Sequence, residues 1–284
     1  MAANQLPLTS RVDFPVTYLH PSRGWLALDL RELWTYRELI YFMVWRDIKV
    51  RYKQTALGVA WAVIQPLLTV LIFTLVFEKL LHVQSNGVPY PLFAYSAILP
   101  WQLFQGALQR SSMSVVSNAN LLTKVYFPRL IIPISAVLAS VVDFAIQFVV
   151  LLGMMLAYGV MPQWTILWLP LLMALALLTA LAVGLWLSAL NVQYRDVSHI
   201  IPVLIQIWMY ASPVVYPIES IPAKWRPLVG LNPMSGVIQG FRWALLGKNP
   251  PDVLFIVSVA IVLVLLVTGL IYFKHMERTF ADTI

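Results

Sequence analysis

The sequence has no cysteine and very little charge. Lys, Arg, Asp and Glu together make up 11% of its 284 residues, whereas a soluble domain carries about 25%. A chain so poor in charge cannot cover its own surface in water, and its mean hydropathy of +0.80 indicates a lipid bilayer as its solvent. The absence of cysteine excludes a disulfide framework and thiolate chemistry.

Catalytic motifs are missing as well. The four histidines are scattered, and the sequence contains no HExxH motif, no DxD pair and no histidine five residues before an aspartate. A phosphate-binding loop is also absent, because the only Gly–Lys pair, Gly247–Lys248, is followed by Asn249. We therefore expect a chain that is not an enzyme, holds no metal and cannot bind ATP phosphates by itself.

Long apolar runs fill most of the chain. A membrane-spanning helix needs about 20 apolar residues. Six stretches meet or approach this length, at about 56–77, 92–108, 130–160, 164–190, 200–216 and 253–273. Their apolar residues are continuous rather than alternating, which favours helices over barrel strands. The sequence predicts an all-α membrane protein with a six-span transmembrane domain over residues 55–284.

Basic residues are distributed unevenly about these spans. Fourteen of the 19 Lys and Arg residues fall on the side that carries both chain ends, and five fall on the other side. The positive-inside rule then predicts that both termini are cytoplasmic. Residues 1–30 are polar and lack the apolar core of a signal peptide, so they are interpreted as a cytoplasmic extension. The basic residues that give the net charge of +7 lie beside the apolar runs, which is typical of membrane anchors rather than of nucleic-acid binding.

Residues 31–54 have separate polar and apolar faces at helical period, which predicts an amphipathic helix in the membrane interface. Four cations lie near its end: Arg46, Lys49, Arg51 and Lys53. In one interpretation they only fix the orientation of the first span. In the other they also bind an anionic lipid headgroup or contact a cytoplasmic partner.

The connection before the last span is too apolar for a loop and too short to cross. Asn232–Pro233 is typical of a helix N-cap followed by proline. Gly236 and Gly240 permit close backbone approach, and Arg242 interrupts the apolar run. We predict two re-entrant helices, at 222–228 and 234–246. The alternative is an amphipathic helix on the outer surface.

Asp143 is the one ionisable residue deep inside a predicted span. Placing it there costs about 3 kcal/mol even on insertion scales, so it needs a partner. We expect a structural hydrogen bond to another helix, with Gln65 or Gln102 as candidate partners.

Five segments carry a resemblance to a known family. They are WRDIKVRYKQTALGVAWAVIQPLL at 45–68, NANLLTKVYFPRLIIP at 118–133, NVQYRDVSHIIP at 191–202, SPVVYP at 212–217 and LNPMSGVIQGFRWALLG at 231–247. In order and spacing the chain resembles the membrane permeases of bacterial polysaccharide ABC exporters of the type-2 branch, which serve O-antigen, teichoic acid and capsule.

The resemblance implies a homodimer in the bacterial inner membrane, with two separate ATPase subunits that supply ATP and Mg²⁺ binding. It implies a lipid-linked glycan as cargo, often on an undecaprenyl diphosphate carrier. Contacts with the ATPase map to two segments, Asn118–Pro128 and Tyr194–His199. The candidate contact residues are Asn118, Leu121, Lys124, Tyr126, Arg195 and Asp196.

A glycan path should carry aromatic side chains, because ring faces stack on the C–H faces of sugars. The candidates on the proline-bearing second and fifth spans are Tyr95, Trp101, Phe104, Trp208, Tyr210 and Tyr216. Each is alternatively an anchor at the membrane interface. Two other functions stay open at this point: an ABC permease for a lipid or a drug, and a membrane-embedded transferase.

Overall fold

The computed structural model describes residues 30–53, 58–83, 85, 87–248 and 250–280, and all regular structure within them is helical. The predicted cytoplasmic extension over 1–30 lies outside the described residues except for Leu30. The predicted interfacial helix over 31–54 is formed as two helices, α1 (Leu30–Thr35) and α2 (Arg37–Lys53), with a turn at Tyr36.

Ten further helices follow. They are α3 (Gly58–Phe73), α4 (Tyr90–Ser117), α5 (Ala119–Leu122), α6 (Ile131–Leu138), α7 (Ser140–Ala157), α8 (Leu169–Gln193), α9 (Val197–Tyr210), α10 (Arg226–Gly230), α11 (Pro233–Leu246) and α12 (Val253–Met276). A π-helical turn over Thr74–Leu80 extends α3, and 3₁₀ turns lie at Trp164–Trp168, Ile218–Ser220 and Glu277–Thr279.

Four helical stretches among the described residues are long and apolar enough to cross a membrane. They are Ala60–Leu80, Ile131–Ala157, Trp164–Gln193 and Val253–Met276. They coincide with the first, third, fourth and sixth predicted spans. The second predicted span lies within α4, which is longer but more polar, and the fifth corresponds to the short apolar helix α9.

α4 extends nine residues beyond the predicted end of the second span at 108. The extra turns contain buried serines that hydrogen-bond to backbone carbonyls of their own helix. Ser112 Oγ donates to the Leu108 carbonyl at 2.7 Å, and Ser114 Oγ donates to the Ser111 carbonyl at 2.7 Å. The hydroxyls of Ser112 and Ser114 are satisfied by their own helix, so these two serines can be buried without a partner on another helix.

The core surrounds α4. Its residues 92–101 are all buried, and α8, α7, α11 and α3 pack against it. α4 approaches α8 closely at Gly184 of α8, where an added Cβ would lie 2.7 Å from the Ser111 Cβ. α4 is therefore the central helix, and a residue without a side chain permits its contact with α8.

α11 is enclosed by protein rather than lying on a surface. It packs against α4, α8 and α12, and its residues 233–238 are all buried. A Cβ at Gly236 would lie 2.7 Å from the Ser258 Cβ of α12, and one at Gly240 would lie 2.6 Å from Leu172 of α8. The alternative of an amphipathic surface helix is thus wrong, since both glycines sit at helix–helix contacts. The Asn232 side chain accepts from the Met234 N–H, as an N-cap does.

The two ends of the described chain meet the α5 segment at one end of the bundle. Met43 of α2 clusters with Phe127, Ile131 and Ile132, which follow α5. Phe280 is fully buried, and Arg129 donates to the Glu277 carbonyl. Burial raises the pKa of Glu277.

Candidate functional site

A polar pocket of about 350 Å³ lies between α2, α3, α4 and α7. Below it is called the polar pocket. Its lining includes two arginines, one aspartate and five glutamines, which is unusual beside helices this apolar. The lining residues are Arg51, Tyr52, Trp61, Ala62, Gln65, Gln102, Gln105, Gly106, Gln109, Arg110, Asp143 and Gln147.

Asp143 is the centre of the charges in this pocket. Arg51 Nη1 donates to Asp143 Oδ2, and the Tyr52 hydroxyl donates to Oδ1. Arg110 Nη2 lies 3.3 Å from the same Oδ2. The expectation of Gln65 or Gln102 as the partner is therefore wrong, although both line the pocket. A carboxylate at this depth needs counter-charge, which an amide does not supply.

Burial of the Tyr52 hydroxyl, followed by its hydrogen bond to Asp143, raises the pKa of Tyr52 to about 12. Tyr52 therefore remains protonated across the physiological range and acts as a donor to the carboxylate.

Arg110 lies inside α4, although the predicted second span ends at 108 and leaves this residue in the connection that follows. Its guanidinium also contacts Ser140 Oγ of α7, with Nε at 3.2 Å. A Cβ at Gly106, one turn earlier, would lie 2.9 Å from Arg110 Nη2. Gly106 thus leaves room for the guanidinium to fold along its own helix towards Asp143.

Four of the five pocket glutamines have side-chain amides without a hydrogen-bond partner among the described residues. Trp101 Nε1 donates to Gln105 Oε1 at 3.2 Å. Within the described part of the chain, no hydrogen bond joins the side chains of Gln65, Gln102, Gln109 or Gln147 to protein. Gln147 is only 8% exposed. Each amide offers two N–H donors and one acceptor, so the pocket can hydrogen-bond a ligand rich in hydroxyls.

The four predicted headgroup cations do not act as one cluster. Arg46 binds Asp47 at 2.8 Å and Asn118 Oδ1 at 2.9 Å, while Arg51 binds Asp143. Lys49 lies over the Trp45 ring, and Lys53 is exposed at the end of α2. Only Arg51 reaches the polar pocket.

The predicted ATPase-contact residues lie at one end of the bundle. The 118–128 segment contains only one helical turn, α5, followed by exposed Lys124 and Tyr126. Asn118 and Leu121 are half-buried, and Leu121 packs on the Met43 cluster. Arg195 and Asp196 are exposed immediately before α9.

The six aromatic residues predicted for a glycan path differ in how deeply they are buried. Tyr95, Trp101 and Phe104 are enclosed in the core, so these three rings offer no open face within one chain. Phe104 meets Trp208 edge-on at 5.0 Å. Tyr210 is exposed, and the Tyr216 hydroxyl donates to the Tyr210 carbonyl. A role in a glycan path stays a prediction for all six.

Arg242 stabilises the irregular SPVVYP backbone after α9. It is 9% exposed; its Nη2 donates to the Val214 carbonyl at 2.7 Å, and its Nη1 donates to the Tyr216 carbonyl at 3.3 Å. Its guanidinium stacks 3.8 Å from the centre of the Phe93 ring. Backbone carbonyls outside a helix need such donors where water is excluded.

Sequence reasoning missed Tyr52, Arg110 and most of the glutamines. A signal was present: Gln102, Gln105 and Gln109 are spaced by three and four residues, which places them on one face of a helix. Asp143 and Gln147 are also four apart. Among the described residues, no group of three or more His, Asp or Glu could hold a metal ion.

The chain is similar to known transporters. Residues 38–246 match the family model described as ABC-2 type transporter. An O-antigen export system permease protein RfbA from Myxococcus xanthus is 30% identical over 258 residues, covering 90% of this chain and 98% of that protein.

Relatives with lower sequence identity also match over most of the chain. An O-antigen export system permease protein RfbA from Klebsiella pneumoniae is 27% identical, over 86% of this chain and 94% of that protein. A polysialic acid transport protein KpsM from Escherichia coli is 23% identical, over 71% of this chain and 78% of that protein.

Proposed function

Because the chain belongs to the ABC-2 type transporter family, we propose that it is the transmembrane subunit of an ATP-driven exporter of lipid-linked polysaccharide in the bacterial inner membrane. The observation that carries the proposal is its nearly end-to-end similarity to an O-antigen export permease. The polar pocket supports it, since unpaired amides suit a sugar-bearing cargo better than an apolar one.

The proposed topology has six spans, with α4 and α9 completing the four helical stretches that are long and apolar enough to cross. Both termini are proposed to be cytoplasmic, because α2, the α5 segment and the buried Phe280 pack together where most basic residues lie. α10 and α11 are proposed to re-enter from the outer side.

The topology has a simple test because the native sequence contains no cysteine. A single cysteine at Ser85 or Ala223 should react in intact cells with an impermeant thiol reagent. Cysteines at Ala2 and Thr283 should stay unlabelled until the membrane is opened. Labelling of the last two in intact cells would falsify the orientation.

The partners are proposed to be a second copy of this chain and two ATPase subunits. The sequence has no phosphate-binding loop, so ATP and Mg²⁺ are assigned to those subunits. Exposed Lys124, Tyr126, Arg195 and Asp196 are proposed to contact the ATPase. Asn118 and Leu121 are proposed to support this surface from below.

The cargo is proposed to travel on a polyprenyl diphosphate of the undecaprenyl type. The cations at the end of α2 are proposed to lie at the inner leaflet, where such a headgroup would enter. Arg46 and Arg51 are the proposed principal ligands, since a guanidinium binds phosphate through two donors. Lys49 and Lys53 are proposed to add charge.

The experiment that tests the exporter proposal is deletion of the gene in its host. Surface polysaccharide should disappear while lipid-linked polysaccharide accumulates inside, and the wild-type gene should restore export. The proposal would be contradicted if the deletion strain kept a normal amount of surface polysaccharide while its ATPase subunit and its lipid-linked polysaccharide stayed at wild-type levels.

A further inference from the structure

We propose that the polar pocket binds the phosphate-bearing end of a sugar, and that Asp143 occupies the place of a phosphate oxygen until such a ligand arrives. This inference rests on the proposed function and deepens it, because it names the part of the cargo that the pocket recognises. The polar pocket does not recognise the repeating sugars of the polysaccharide.

The anionic part of the ligand is indicated by the donors on Asp143. Arg51 and Tyr52 from α2 and Arg110 from α4 converge on one carboxylate. Guanidinium and hydroxyl donors bind phosphate oxygens in the same way as carboxylate oxygens. Two guanidinium groups and one hydroxyl thus point at one position in the pocket, which is the donor arrangement that a phosphate oxygen requires.

The sugar part is indicated by Gln147. Its side chain is more than nine-tenths buried, lines the pocket and has no hydrogen-bond partner among the described residues. The amide can donate two hydrogen bonds and accept others, so it is available to a sugar hydroxyl that enters the pocket. Gln65, Gln102 and Gln109 line the same space, and their amides also lack a partner in the part of the chain that the structure describes.

The size of the pocket limits what it can recognise. A volume of about 350 Å³ lies at the lower end of the range of about 300–1,000 Å³ for small-molecule sites. It accommodates one sugar with its phosphate rather than several sugars. The pocket is therefore assigned to the linkage between the first sugar and its phosphate.

Binding should be measured on the wild-type permease with its ATPase partner in nanodiscs. The three probes are undecaprenyl diphosphate carrying one N-acetylglucosamine, undecaprenyl diphosphate alone and inorganic pyrophosphate. The sugar-bearing lipid should bind about fivefold tighter than the bare lipid, as one or two net hydrogen bonds would give. Pyrophosphate should compete with both lipids, only at higher concentration.

Two variants separate the two halves of the site. Gln147→Leu should reduce the preference for the sugar-bearing lipid to less than about twofold while leaving bare-lipid affinity unchanged. Gln206→Leu, at an exposed position on α9, is the matched control and should keep the preference. Asp143→Asn should tighten binding of all three probes by about tenfold, because it removes the competing anion.

The opposite outcomes overturn the inference. Equal affinity for the two lipids in the wild type, or a preference that survives Gln147→Leu, removes the sugar assignment. Binding to Asp143→Asn that is no tighter than to the wild type removes the phosphate assignment. If Asp143→Asn does not fold, Arg110→Gln takes its place and should weaken all three probes about tenfold.

The same measurements distinguish a lipid headgroup from free phosphate as the ligand. They also distinguish failure of the pocket inference from failure of the proposed function. Pyrophosphate that binds as tightly as either lipid identifies a free-phosphate site and overturns the sugar assignment. Polysaccharide export by the wild type without any sugar preference in binding overturns the pocket inference alone. Absence of export by the wild type overturns the proposed function.

Discussion

Arg51 donates a hydrogen bond to Asp143 across 92 positions of sequence and joins the end of α2 to α7. Arg110 approaches the same carboxylate from α4 at 3.3 Å. One acidic side chain thus holds three helices together around the polar pocket. Arg46, five residues earlier on α2, binds Asn118 at the start of the proposed ATPase contact. α2 therefore connects that contact to the pocket.

Asp143→Asn should destabilise the fold because it removes the carboxylate charge that Arg51 and Arg110 share. Both side chains keep about a quarter of their surface exposed, so we expect a loss of about 1–3 kcal/mol rather than the full cost of a buried charge. Thermal unfolding in detergent would measure it.

Asp47→Asn is the matched control for this variant. Asp47 pairs with Arg46, whose side chain is 46% exposed, so its removal should cost less than about 1 kcal/mol. An equal loss in the two variants would show that Asp143 has no special structural role.

Gly184→Ala should destabilise the contact between α4 and α8. The new Cβ would meet Ser111 of α4, and overpacking of this kind costs about 1–3 kcal/mol. Gly153→Ala is the control, because nothing lies within 4 Å of its Cβ position and alanine favours the helix by about 1 kcal/mol. Opposite shifts in melting temperature are expected, and a stabilising Gly184→Ala would contradict the packing described.

Replacing Lys124 and Tyr126 by Ala should uncouple ATP hydrolysis from export. Both side chains are exposed beside α5, so the permease should still insert normally. ATPase co-purification and export should both fall at least about tenfold if an interface anchor is removed. Tyr158→Ala, at the exposed opposite end of α7, should change neither, and unchanged export in the double variant would reduce the segment to a loop.

Arg46→Lys together with Arg51→Lys keeps every charge that sets topology but removes the planar donor pairs. If these residues bind the carrier diphosphate, export and substrate-stimulated ATPase activity should fall about tenfold at normal expression. The control, Lys49→Arg with Lys53→Arg, should keep both activities. If the variant with Arg46→Lys and Arg51→Lys kept full activity, the only role left for the two arginines would be to orient the first span.

Local patterns in the sequence predict the helices and several of their contacts. The apolar runs predict the four helical stretches that are long enough to cross, and Asn232 is confirmed as the N-cap of α11. Gly236 and Gly240 lie at close helix contacts because their spacing already places them on one helix face. Such features depend on residues within a few turns of each other.

The partners of Asp143 could not be read in the same way. Arg51 lies on a different helix far earlier in the chain, and Arg110 follows the apolar run that hydropathy predicts as a complete span. Hydropathy ends a span at its first polar residues, but α4 continues because it is buried by protein rather than by lipid. Tertiary packing, which no local pattern encodes, therefore decides where the pocket forms.

Transport in proteoliposomes tests the central claim most directly. The purified chain and its ATPase partner are reconstituted with lipid-linked polysaccharide, and the fraction of polysaccharide that crosses the bilayer is measured with and without ATP. The account predicts movement that requires ATP hydrolysis and both subunits. Absence of movement with ATP, or equal movement without the ATPase, would contradict it.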